Sequence, residues 1–596
     1  VATPRRIGYA SEPMDSSPEI PRASRARAWL STRLSAFEAG QTSPLAYVVV
    51  LASVVIWLYK LVFIDRSLRI DADGRVGVVF DDAYMFVRYA DHVLGGWGVA
   101  WNAGEAPVHG NTSALYLAEL IAIRSVFHGD PGHVAVVGSL VGAVAALVAA
   151  VHLVRSIGRT MGCEVSTWSW AALVVPTLLA APTFRYHAVT GMDTTLAFTL
   201  IAATIAASAR LVDDRPRVDS AIACGLLGWL SIEARPDNGI LALGVPLGLA
   251  WAAGRLRQGS IAFGTSIAAA ALSTAAKFAY FGDPMPLAAA AKRAGFYGDY
   301  LAGWRWNPVA YLLEVGLWLS PWLVLGLLGA SRSRGRWYAA LIVPLSMTWA
   351  TLFGVVQIMG FHARYYVPGS AVLLAAATIG AVDLLRTRAV SPLGLVGPGA
   401  LVGLLLGAQP IAAAYERVAL TRETPRPERY YAQPKPLPTR RINPSTQAII
   451  RVLQRANDAS KPGREASPDN AKVSLAATEY GLIGATLPMV PILDLAGLHD
   501  PVLAHGGGVV DRLIQVKPTL IWMPFPDYDG MTRALYCDRR LWDEYEVVPG
   551  AFRFGVAIRR DAEASTRAAL NEEFSRFYAG ETMDDHLATP RAEGCR

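Results

Sequence analysis

Gly132 to Val154 reads GHVAVVGSLVGAVAALVAAVHLV, a stretch free of Asp, Glu, Lys and Arg. As a helix it is long enough to cross a hydrocarbon core of ~30 Å, which takes about 20 apolar residues. Ala46 to Ile64, AYVVVLASVVIWLYKLVFI, repeats the pattern with a single Lys60 inside it. The rest of the 596-residue chain is built in the same way: 53% hydrophobic, 17% charged, with a mean hydropathy of +0.31. Ordinary soluble domains carry roughly 25% charged residues. This composition excludes collagen-like, coiled-coil, disulfide-scaffold and intrinsically disordered chains. The net charge of +7 does not indicate a nucleic-acid partner, because the arginines sit in short loops between apolar blocks. That placement is a signal of membrane topology.

Eleven spanning blocks are predicted, near 45–64, 132–154, 167–184, 194–210, 219–233, 238–254, 260–280, 308–330, 337–357, 366–385 and 392–414. Alternate loops carry Arg155 and Arg159; Arg210, Arg215 and Arg217; Arg255 and Arg257; Arg332, Arg334 and Arg336; Arg386 and Arg388. All of these fall on the cytoplasmic side when the Arg-rich segment 1–44 is a disordered cytoplasmic tail, which satisfies the positive-inside rule. The expected architecture is a helical multispan domain over 45–415, with a long external loop at 65–131. An extracytoplasmic α/β domain over 416–596 follows. In that domain STQAIIRVLQRAND reads as a helix, KVSLAAT, PILDL and PTLIWMP as buried strands, and AFRFGVAIRR as an edge strand.

The candidate chemistry lies on the external side. Asp81 and Asp82 follow an apolar strand-like run and precede YMFVRYADHVL, an amphipathic stretch suited to the membrane interface. Adjacent carboxylates repel and are costly to desolvate, so a purely structural role is disfavoured there. Glu105, His109, Asn111 and Thr112 lie further along the same loop as acceptor-contacting candidates, joined by Asp193 at the mouth of the fourth block. Arg235, Lys292, His362 and Arg364 fall on the same face. Taken singly, each cation would be an interfacial residue snorkelling to water. Taken together beside carboxylates, they suit an anionic lipid headgroup such as a phosphate, held bidentately by Arg and as a point charge by Lys.

The run DDAYMFVRYADHVLGGWGVAWNAGEAPVHGNTS (Asp81–Ser113) resembles the first-loop signature of bacterial GT-C glycosyltransferases, membrane enzymes that use polyprenyl-phosphate sugars. More narrowly, it is similar to the mycobacterial terminal β-(1→2)-arabinofuranosyltransferase family, whose relatives are also labelled flagellar motor control proteins. Colinear islands continue the resemblance: VTGMDTTL, ARPD, YFGDPMP…AK, RYYVP and LDLAGLHDPVLAHG. It covers roughly 75–596 in short pieces. The family has a Gly-Gly-Asp segment before its Arg, whereas this chain has Met359-Gly360-Phe361-His362, so the donor sugar stays open.

The resemblance implies a bacterial plasma-membrane transferase that moves a sugar, arabinofuranose among the candidates, from a polyprenyl-phosphate donor to a cell-envelope glycan or lipid. It makes Asp81 the general base, and Asp82 is left to orientation or acceptor contact. A single base opposite phosphate-binding cations implies inverting displacement. Membrane lipids complete the expected partners. No cofactor is required, although the acid pair admits a divalent cation. Cys537 and Cys595, the two cysteines placed outside, are the expected disulfide.

Other motifs have plain readings. The HGGG run at His505–Gly508 mimics an esterase oxyanion loop, but no G-x-S-x-G elbow accompanies it. His92, His109 and His128 lack short zinc-ligand spacing, and the chain holds no Walker A motif. Two other classes remain: a transporter or flippase for lipid-linked sugars, disfavoured by the scarcity of acids within the spans, and a non-catalytic membrane scaffold.

Overall fold

The computed structural model describes residues 44–63, 69–70, 76–212, 217–293, 308–330, 335–353, 360–386, 443–458, 473–525 and 528–588. The apolar blocks fold as helices: Pro44–Phe63, Pro131–Thr160, Thr167–Ala180, Thr194–Ala209, Val218–Ala234, Gly239–Ala252, Leu256–Phe281, Gly335–Phe353 and Ser370–Arg386. By length and composition, Pro131–Thr160, Thr194–Val212 and Leu256–Phe281 can each cross a membrane. The block at 392–414 lies outside the described residues, as does the tail at 1–43.

Two blocks expected as single spans are broken. The 167–184 block divides at Ala181, whose φ −66° and ψ 118° are extended, and a second helix, Pro182–His187, follows. A residue preceding proline is pushed out of the helical region, so Pro182 accounts for the break. The 308–330 block is likewise two helices, Pro308–Trp318 and Ser320–Ala330.

The segment 65–131 carries β1 (Arg69–Ile70) and β2 (Val76–Gly77), paired antiparallel. It continues through the helix Asp82–Leu94, the amphipathic stretch expected from sequence, and the helix Ala114–Val126. Ser113 caps the latter through the Tyr116 amide, 3.3 Å away.

The C-terminal α/β unit holds a five-stranded sheet. β3 (Leu475–Ala477) lies between β4 (Ile492–Asp494) and β5 (Leu520–Trp522), all parallel, while β6 (Tyr545–Pro549) and β7 (Gly555–Arg559) extend it antiparallel in the order β4-β3-β5-β7-β6. The expected edge strand AFRFGVAIRR thus becomes the interior β7, and the edge is β6, which was not anticipated. Its segment YEVVP is short and directly follows a helix, so the alternation has too few residues to register. The helices Pro444–Asp458 and Ala564–Phe577 are joined by Arg451 and Arg455, which both bond the fully buried Glu573 at 2.8 Å.

The helix Asp82–Leu94 is buried along nearly its whole length, with residues 83–90 all enclosed. Its apolar side chains share one core with the sheet of the C-terminal unit. Arg88 pins this seam. Its guanidinium donates to the carbonyls of Trp101 (2.8 Å), Gly484 (3.0 Å), Leu487 (3.4 Å) and Val490 (3.0 Å), and to Asn102 Oδ1 at 3.0 Å. A cation with no exposed surface persists because each donor meets an oxygen. His499 stacks on Trp101 with ring centres 4.0 Å apart, and Tyr89 Oη lies 2.9 Å from its Nδ1.

Candidate active site

Asp81 and Asp82 are adjacent but have different partners. The Asp81 carboxylate does not cap its own helix. It reaches across the seam to the start of the helix Gly481–Thr486, accepting from the Gly481 amide (2.5 Å to Oδ2) and the Leu482 amide (3.0 Å to Oδ1). These are amide donors that a helix leaves without internal partners. Gly481 is required there, since a Cβ would lie 2.1 Å from the Asp81 carbonyl oxygen. Burial pushes the Asp81 carboxyl up to about 6, opposed by those two amides and reinforced by the charge of Asp82.

Asp82 opens the helix with its side chain in a field of opposite charges. Burial raises its pKa, Arg364 and then Lys292 pull it back, and Asp193 adds repulsion. Asp82 is therefore the member of the pair that shares its surroundings with the cations singled out in the sequence.

Two of those cations, Arg235 and Arg364, are tied to Asp193. Its Oδ1 accepts from Arg235 Nη1 at 3.3 Å and from Arg364 Nη2 at 3.2 Å, with all three side chains at most 7% exposed. Arg235 also forms a two-pronged pair with Asp237, at 3.0 and 2.8 Å. Arg364 lies over the Phe80 ring, 5.5 Å from its centre, and its buried Nε has no hydrogen-bond partner among the described residues. His187 is fully buried; its Nε2 donates to the His362 carbonyl at 3.1 Å, while its Nδ1 has no partner among the described residues.

His362 sits on strained backbone, with φ 50° and ψ 42°, and Ala363 follows at φ 55°. A left-handed conformation in two consecutive non-glycine residues is costly and marks functional turns. Nδ1 of His362 lies 3.0 Å from Oε1 of Glu314, an acid that is 3% exposed.

The remaining sequence candidates divide. His109 stacks on Phe281 at 4.8 Å, and its carbonyl accepts from the Leu287 amide at 2.8 Å. That bond ties the HGNTS run to the short helix Leu287–Arg293, which carries Lys292 in its last turn. Asn111 is buried nearby in sequence. Glu105 and Thr112 are exposed, and Glu105 accepts only from Asn102 Nδ2 at 3.1 Å, so they do not join the charged cluster. Among the described residues, no group of three or more His, Cys, Asp or Glu side chains could hold a metal ion. Cys537 is disulfide-bonded, Cys163 and Cys224 are free, and Cys595 lies outside the described residues.

Sequence reasoning missed Glu314, His187 and Arg88. Glu314 did carry a signal, as the one charged side chain in PVAYLLEVGLW.

No family model matches the chain, and no curated protein matches it. Similar solved structures include ArnT from Cupriavidus metallidurans bound to undecaprenyl phosphate, at 13% identity and a TM-score of 0.48 over 87% of this chain and 98% of that one. The apo state of the same protein is similar at 14% identity and a TM-score of 0.48, over 91% and 99% of the two chains. The archaeal oligosaccharyltransferase AglB from Archaeoglobus fulgidus, in complex with an inhibitory peptide and a dolichol-phosphate, is similar at 10% identity and a TM-score of 0.49, over 87% and 75%.

Proposed function

We propose that the chain is an integral-membrane glycosyltransferase of the GT-C type. It moves a sugar from a polyprenyl-phosphate donor to a cell-envelope glycan or lipid at the external membrane face, with arabinofuranose as the leading donor sugar. The observation that carries this reading is the buried Arg235–Asp193–Arg364 bridge, with the half-buried Asp82 lying in the field of Arg364 and Lys292.

Such an arrangement suits direct displacement. The acceptor hydroxyl oxygen attacks the anomeric carbon, and Asp82 takes the hydroxyl proton. The bond between that carbon and the phosphate oxygen breaks, and its electron pair leaves on the lipid phosphate. Arg364, Lys292 and Arg235 oppose the charge that develops there, in surroundings largely closed to water. One base on the acceptor side and cations on the leaving-group side lead to inversion at the anomeric carbon. Asp82 is preferred over Asp81 as base because both Asp81 oxygens are engaged by backbone amides. Asp81 then holds the start of the Asp82 helix in place.

The test is transfer by the purified full-length protein from a panel of radiolabelled polyprenyl-phosphate sugars. Turnover of one of them is expected, and it should be lost in Asp82→Asn. If no donor is turned over and none binds, the protein is not a transferase of this kind.

A further inference from the structure

Glu314 stands alone as a charged group in its helix Pro308–Trp318, and it is buried where an ionised carboxylate is expensive to keep. Its Oε1 lies 3.0 Å from Nδ1 of His362, at the distance of a charge-assisted bond. Accepting from Nδ1–H fixes the ring plane and leaves Nε2 facing outward, where the doubly protonated ring has a second N–H to donate. No described residue bonds Nε2 of His362, and the side chain is 24% exposed. The imidazole packs against the Tyr186 ring 4.1 Å away, and its backbone is held in the left-handed turn by the bond from His187 Nε2 to the His362 carbonyl. Two residues on, Arg364 presents its buried Nε, which has no partner among the described residues.

We infer that Glu314 is a positioning residue which, through Nδ1 of His362, fixes the imidazolium so that its Nε2–H donates to the phosphate of the lipid donor beside Arg364. The inference rests on the transferase reading and adds to it the device that orients one phosphate ligand. A buried acid serving only to pack the helix would need no such partner, and a well-packed apolar residue would replace it at little cost.

The experiment measures binding of undecaprenyl phosphate, and of undecaprenol as its phosphate-free control, to the full-length protein in nanodiscs. Wild type is compared with Glu314→Ala, Glu314→Gln, His362→Asn and the Glu314→Ala/His362→Asn double variant. Asn is chosen because it tolerates the left-handed turn. Glu314→Ala should weaken phosphate binding roughly tenfold and leave undecaprenol binding unchanged. Glu314→Gln, whose amide oxygen can still accept from Nδ1–H, should lose less. In the His362→Asn background the Glu314→Ala loss should disappear, which a general packing defect would not produce. If Glu314→Ala does not fold, Glu314→Gln in both backgrounds carries the same cycle.

Equal loss for the lipid with and without phosphate overturns the inference, as does a Glu314 effect that persists without the imidazole. Should wild type itself fail to prefer undecaprenyl phosphate over undecaprenol, the donor reading falls. Discrimination by wild type that survives in the Glu314 variants removes only the role of Glu314.

Discussion

Asp81 and Asp82 are neighbours in the chain and do different work, and substitution should separate them. Asp82→Asn removes the proton acceptor and should lower kcat by about 10²–10⁴ with the donor KM largely spared. Asp81→Ala removes the acceptor for two helix-end amides and should cost about 1–2 kcal/mol of stability, read in thermal or denaturant unfolding. The pH dependence follows from the surroundings of Asp82. Burial holds its pKa above the usual carboxylate range, and the base works only when ionised. Activity should therefore be full above that raised pKa and fall as pH drops through it. Arg364 and Lys292 favour the ionised form, so Arg364→Ala should move the acid limb of kcat/KM to higher pH. A limb that stays in place would detach Asp82 from these cations.

Among the secondary-structure elements, the helix Asp82–Leu94 carries the most consequence, because its partners come from both ends of the chain. Arg88→Met would take the donor from the carbonyls of Trp101, Gly484 and Val490, while Leu487 keeps the Val490 amide, and should cost about 3–5 kcal/mol, measured as loss of the folded fraction in denaturant. This helix was legible in the sequence because its apolar period reflects its own neighbours. The parallel strands β3, β4 and β5 were legible for the same reason, as short apolar runs between turn residues. The cations were legible through their charge in apolar surroundings. Arg88 was not, since its role depends on carbonyls 396 to 402 positions away. The same holds for Glu314, whose partner lies 48 residues on and stands on backbone strain that no local pattern encodes. The reason for proposing Asp82 instead of Asp81 as base was hidden similarly, because the Gly481 helix that takes up Asp81 belongs to the other end of the chain.

Across the full length, the alternation of apolar blocks and arginine loops in the sequence predicts the external side of the membrane for the C-terminal unit. A cysteine introduced at exposed Ala564 should react with an impermeant thiol reagent in intact cells, and labelling only after permeabilisation would reverse the topology. Non-reducing peptide mapping should recover Cys537 joined to Cys595, closing a loop that contributes roughly 4 kcal/mol by the chain-entropy estimate. The bond from the Gly481 amide to Asp81 bridges 400 positions. Its consequence concerns timing during synthesis. The acid pair leaves the ribosome early, and the segment that sets it in place arrives only when four-fifths of the chain has been made. Until that last portion has folded, the nascent protein lacks the two amides that hold Asp81. On the proposed function, each copy is then silent through its own synthesis, and a chain truncated before its terminal unit should show no transfer.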